Sequence, residues 1–145
     1  MKVMVKKNQS LEDEVTLKLD EKQASAVSFA CELTARLLIG QTDQLNRIIS
    51  PKLLPLSRED EAIIKKILFP ELSVSSSYGI HSPEISDNAR KMFDIHQVLR
   101  HYLTLEYCKK NNTTPSGVSS YEPSQTSMEC KLPELEKNNI SLSGR

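Results

Sequence analysis

The side chain in this sequence best suited to moving a proton or meeting a ligand is His96, one of 3 histidines among 145 residues. An imidazole titrates near neutrality, and its two nitrogens can accept, donate or bind a metal. On a helical wheel with Met92 at zero, Leu99 falls at about −20°, Leu103 at about +20°, His96 at about +40°, and Ala89 and Tyr107 at about +60°. Tyr102 and Val98, at about −80° and −120°, widen that apolar face. His96 therefore reads first as a neutral ring hydrogen-bonded in a helix seam, and second as a catalytic or ligand-binding group. His101 lies about 180° away, so the two cannot hold one metal from a straight helix, unlike a pair one turn apart. Cys31, Cys108 and Cys130 stand at no metal-binding spacing. No metal and no cofactor is expected.

Basic residues are the other candidates. Arg90, Lys91, Arg100, Lys109 and Lys110 outnumber Asp94 and Glu106 on the same segment. Such a stripe is either a solvated face or a contact for an acidic partner, and Arg90, Lys91, Arg100 and His101 are its partner-binding candidates. Aromatic residues do not interleave with it, which argues against nucleic acid. Arg90 followed six positions later by His96 resembles the arginine-histidine signature of metal-independent HEPN ribonucleases. That resemblance implies RNA cleavage with Arg90 and His96 as catalytic residues. The two side chains point about 120° apart, however, whereas phosphate chemistry needs them to converge. Arg100, one turn beyond His96, is the better geometric neighbour but reverses the motif's order. The chain has no HExxH, no CxxC and no recognisable Ser-His-Asp spacing, and its 4 glycines stand alone, which excludes P-loop and dinucleotide fingerprints. The reading is not an enzyme, with a HEPN-like ribonuclease as the alternative.

Lys plus Arg and Asp plus Glu are 19 each, so no global attraction to nucleic acid or an anionic membrane is built in. The 3 cysteines fit a reducing cytoplasm better than a secreted disulfide framework. Apolar runs are too short for a signal-peptide core or a bilayer span. A cytoplasmic protein without membrane contact is expected, and the sequons at Asn111, Asn112 and Asn139 read as chance matches.

The elements that must position these residues follow from local signals. Val15-Thr16-Leu17-Lys18-Leu19 alternates as a strand buried on one face. Asp20 and Gln23 form a capping box opening a first helix that ends near Gly40. Its apolar residues occupy more than one face, which predicts a central helix or one shared in a homodimer, with Phe29 and Leu33 on one side and Val27, Cys31 and Leu38 on the other. Residues 41–50 extend it until Pro51 and Pro55 break the chain. Ser57, followed by Glu59, Asp60 and Glu61, opens a second helix with an apolar stripe of Ile63, Ile64, Ile67 and Leu68, closed by Pro70. After a serine-rich connection over 73–83, Ser86 opens a third helix running to about Cys108.

Two stretches, Val15–Gln41 (VTLKLDEKQASAVSFACELTARLLIGQ) and Ser77–Leu103 (SYGIHSPEISDNARKMFDIHQVLRHYL), resemble a family of small uncharacterised phage and prophage proteins. Tyr121-Glu122-Pro123 with Thr126-Ser127 is similar to an extended segment near that family's C-terminus. The resemblance implies a phage context, and a strand near 117–122 that returns to pair with Val15–Leu19. It implies no mechanism.

The sequence thus predicts a mainly α (α+β) fold of about three amphipathic helices with a short N-terminal strand. A flexible arm spans 1–14, a helical domain 15–110, and a polar, largely disordered tail 111–145. The functional expectation, reached by elimination, is a phage-encoded protein-interaction module acting in the host cytoplasm. It would bind a host or phage protein, with counter-defence as one role, and would form a homodimer.

Overall fold

The structure, a computed structural model, describes residues 13–48 and 56–136 and the backbone of 140–141. It is mainly helical. Helix α1 (Glu21–Leu38) opens on the expected capping box, in which the Asp20 carboxylate accepts from the Gln23 amide at 2.8 Å and the Gln23 side chain accepts from the Asp20 amide at 3.0 Å. Gly40 follows its end with φ +98°, a conformation that side chains other than glycine's rarely adopt, so the backbone of the turn requires glycine; a Cβ there would also push the tip of the Leu72 side chain aside. The expected extension is a 3-10 turn over Thr42–Arg47, and residues 49–55, with Pro51 and Pro55, lie outside the described residues. Helix α2 (Arg58–Leu68) starts where Ser57 Oγ accepts from the Asp60 amide at 3.1 Å. Helix α3 (Asp87–Asn111) starts on Ser86 and runs past Cys108 to a left-handed Asn112 at φ 54°.

α1 and α3 pack antiparallel: Ser28 meets His96 near one end of the seam and Glu21 meets Lys110 near the other. Between them Ala24, Leu99 and Tyr102 form one apolar cluster, extended by Leu19, Val27, Ile95, Leu103 and Leu135. Ile39, Ile85 and Ala89 form a second, against Tyr78 and Ile80. Burial of each large apolar side chain contributes about 1.5–3 kcal/mol, and these clusters fix the position of His96 on α3.

Several expectations are corrected. The strand at Val15–Leu19 shrinks to β1 (Leu19–Asp20), paired in parallel with β2 (Ile140–Ser141), and Val15 and Leu17 are exposed. The alternating pattern was present, but among the described residues no strand lies beside 15–18 to bury one face. The anticipated strand at 117–122 is instead a 3-10 turn at Val118–Ser120, closed by Ser120 Oγ donating to the Gly117 carbonyl at 2.6 Å. The tail is also placed by more than composition suggests: Thr126 and Ser127 are buried against α3. Their docking uses hydrogen bonds rather than apolar area, which a count of apolar residues cannot register.

The apolar stripe of α2 is largely outward. Ile63, Ile67 and Leu68 are 57%, 72% and 58% exposed, while Lys65 is buried, its ammonium donating to the carbonyls of Gly40, at 2.5 Å, and Ser76. The geometry of the Gly40 turn, which presents carbonyls inward, gives the cation its place. The α1 residues expected at a dimer face divide. Leu33 is buried within the protomer and Val27 packs on the core, whereas Leu38 and Phe29 are exposed, the Phe29 ring beneath the Arg47 guanidinium at 4.8 Å.

Candidate functional site

His96 sits where α3 crosses α1, and it is 5% exposed. Its Nδ1 lies 2.9 Å from Ser28 Oγ and 3.1 Å from the Ser28 carbonyl. Nε2 has no hydrogen-bond partner among the described residues, and the nearest carboxylate oxygen, Glu32 Oε2, stands 3.7 Å away. Burial holds the imidazole below the ordinary histidine range, opposed by Glu32 and the Ser28 carbonyl and reinforced by Arg100 and Arg36. The ring is therefore neutral at physiological pH, and the Glu32 contact is not a salt bridge. Burial works to raise Glu32, yet the bond from Arg47, the nearby His96 and the Arg36 bond outweigh it and hold the carboxyl below its usual range. Glu32 is gripped by Arg36 at 3.2 Å and Arg47 at 3.0 Å.

A groove of about 430 Å³ opens between α1 and α3 at this point. His96, Glu32 and Ser28 line its inner end, Arg100 its wall, and Phe29 and Tyr107 are exposed where it meets solvent. Arg100 carries a second orphan, a buried Nε with no hydrogen-bond partner among the described residues. The pairing of His96 with Arg100 one turn on was legible in the sequence. Ser28 and Glu32 were missed, because nothing in α1 alone indicates which of its polar residues faces α3.

The structure does not bring Arg90 to His96. Arg90 is buried, and its guanidinium donates to the carbonyls of Ile80, at 2.8 Å, and Ser82, and pairs with Asp87 at 3.3 Å. It anchors the Tyr78–Ser82 approach to α3. Lys91 pairs with Glu129 at 2.6 Å, and Lys110 with Glu21 at 2.8 Å. His101 contacts the Ser119 carbonyl through Nδ1 at 3.0 Å. The stripe read as a solvated or partner-facing surface is thus partly met by the chain itself: the tail takes Lys91 and His101, the Tyr78–Ser82 approach takes Arg90 and α1 takes Lys110, while Arg100 is the member directed into the groove.

A second polar centre stands on the side of α3 away from α1. Asp94, 2% exposed, accepts from the Thr126 amide at 3.0 Å, Thr126 Oγ1 at 2.6 Å, the Ser127 amide at 3.0 Å and Gln97 at 2.9 Å. Asp87 accepts from Ser127 Oγ at 2.7 Å and from the amides of Met128 at 2.8 Å and Glu129 at 3.2 Å. Burial works against the Asp87 carboxylate, but the Met128 amide, Ser127, the Glu129 amide and Arg90 outweigh it and lower the carboxyl from 3.8 to about 2. Together these groups form a clasp that holds 124–129 on α3.

Among the described residues no group of three or more His, Cys, Asp or Glu side chains is placed to hold a metal ion, and no helix is long and apolar enough to cross a membrane. Cys31, Cys108 and Cys130 are not in disulfides. No protein-family model, curated protein or solved structure matches this chain.

Proposed function

We propose that the protein is a phage-encoded interaction module that acts by binding a host or phage protein, with inhibition of a host factor or defence system as its role. The observation that carries this reading is α2, which turns Ile63, Ile67 and Leu68 outward while burying Lys65. Val74, six residues beyond Leu68 in the chain, is exposed too. Ile63 and Ile67 share one side of α2, and exposed apolar side chains of this kind gain about 1.5–3 kcal/mol each when a partner covers them. The phage context rests on the stretches Val15–Gln41 and Ser77–Leu103 and on no other observation.

A second copy of the chain is the other occupant this face could take, and the homodimer belongs to the same proposal. The ribonuclease alternative is less well supported, because the guanidinium of Arg90 is committed to Ile80, Ser82 and Asp87. The test compares wild type with Ile67→Glu, whose side chain is 72% exposed and whose fold should be unaffected. Wild type should retain a host protein from lysate, or sediment as a dimer, and Ile67→Glu should do neither at an unchanged melting temperature. Identical capture and sedimentation by the two proteins would end this reading. Metal-free RNA cleavage lost in His96→Gln would replace it with the ribonuclease.

A further inference from the structure

We infer that the groove at His96 and Arg100 binds a small phosphate monoester. The inference starts from two orphaned nitrogens. His96 Nε2 and Arg100 Nε are both buried, both lack a hydrogen-bond partner among the described residues, and both belong to walls of the same groove. An arginine Nε–H is always a donor, and a buried donor left unmade is costly, so the site calls for an acceptor. The imidazole supplies the complementary acceptor. The Ser28 carbonyl, 3.1 Å from Nδ1, can only accept, so Nδ1 carries the neutral ring's proton and Nε2 presents its lone pair to the groove.

Charge selects an anion. Of the acidic groups lining the groove, Glu32 is held by two arginines and Glu21 by Lys110. Arg100 has no ion-pair partner among the described residues, so the uncompensated charge in the lining is positive. Glu32 approaches Nε2 at 3.7 Å, yet its negative charge is already spent on Arg36 and Arg47.

The pairing of one donor with one acceptor favours phosphate over carboxylate. A phosphate monoanion offers terminal oxygens to Arg100 and a P–OH to donate to His96 Nε2, which a carboxylate ion lacks, and Ser25 and Thr104 also line the groove. The organic part has a place as well. Tyr107 stands two turns beyond Arg100 on α3, roughly 10 Å along the axis, and its exposed ring with that of Phe29 offers aromatic surface at the mouth. About 430 Å³ is room for a ligand of nucleotide size.

The test uses the full chain, with nitrogen-15 histidine spectra and calorimetry. Inorganic phosphate and adenosine 5′-monophosphate should shift the His96 Nε2 resonance saturably toward that of a hydrogen-bonded acceptor, with the nucleotide binding more tightly. Adenosine and acetate should leave it unmoved. Arg100→Gln should weaken phosphate binding roughly tenfold or more, with unchanged circular dichroism. Because the spectra are read on wild type, a variant that fails to fold does not remove the test. An unmoved His96 resonance at millimolar phosphate overturns the inference. So does equal binding of sulfate and adenosine 5′-monophosphate, which would mark a general anion site, or acetate binding as well as phosphate, which would mark a carboxylate site.

Discussion

Replacing Asp94 with alanine removes the acceptor for two backbone amides, a hydroxyl and a side-chain amide in one step. Hydrogen bonds to a charged acceptor contribute about 1.5–3 kcal/mol each, so a simple sum for this carboxylate would rival the stability of a small domain. That sum is not the expected loss, because the bonds share one acceptor and the strand they hold can leave. Once the Thr126 and Ser127 amides lack a partner, undocking of 124–129 into water costs less than keeping them buried and unmade. The penalty is therefore limited to the docking free energy of the tail, about 3–5 kcal/mol, and α1 against α3 should survive. Amide hydrogen exchange reads this directly: protection at Thr126 and Ser127 should fall by about two orders of magnitude or more, since each 1.4 kcal/mol is tenfold. Protection at Leu99 and Tyr102 should fall much less. Asp94→Asn keeps one acceptor oxygen but turns an amide donor toward other donors, so its loss should lie between wild type and alanine. Unchanged protection at Thr126 and Ser127 in Asp94→Ala would refute the clasp.

The same clasp should respond to acid. The Asp87 carboxyl is depressed in the folded state, so its contribution is complete above its unfolded value of 3.8 and is lost as pH falls toward about 2, amounting to at most about 2 kcal/mol; Asp87→Asn should flatten that part of the stability profile, and an unaltered profile would contradict it. Leu99→Ala should cost about 2–5 kcal/mol in urea unfolding as a core cavity. His101→Ala, at a position the helical wheel places in solvent, should still cost about 0.5–1.5 kcal/mol through its contact with Ser119, and no change there would mean that the Val118–Ser120 turn does not rest on α3.

The three helix starts and the Gly40 turn are local properties of the chain, whereas the far end of α3, at Asn111 rather than near Cys108, is not. Asp20 with Gln23, Ser57 before its acidic turn, Ser86 and Gly40 act on backbone groups within a few positions, so the residues that decide each end are neighbours in the chain and can be read there. The apolar side of α3 was legible in part: Leu99, Ala89 and His96 are buried as the wheel placed them, whereas Tyr107, placed on the same face, is exposed near the end of the helix. What covers the opposite side is set by packing between distant segments. Arg90 and Asp94 lie within about 20° of the direction facing away from Met92, where a wheel assigns them to water, yet both are buried. The segment that buries them is polar and distant in sequence, and it binds through amides and hydroxyls that hydropathy does not count. The inverted α2, with Lys65 inside and Ile63 and Ile67 outside, has the same origin. Lys65 is buried because the Gly40 turn and Ser76 bring carbonyls to it, and that meeting exists only after the chain has folded. The groove follows suit: α3 alone places His96 one turn from Arg100, but only α1, crossing with Ser28 and Glu32, orients the imidazole and neutralises the carboxylate beside it.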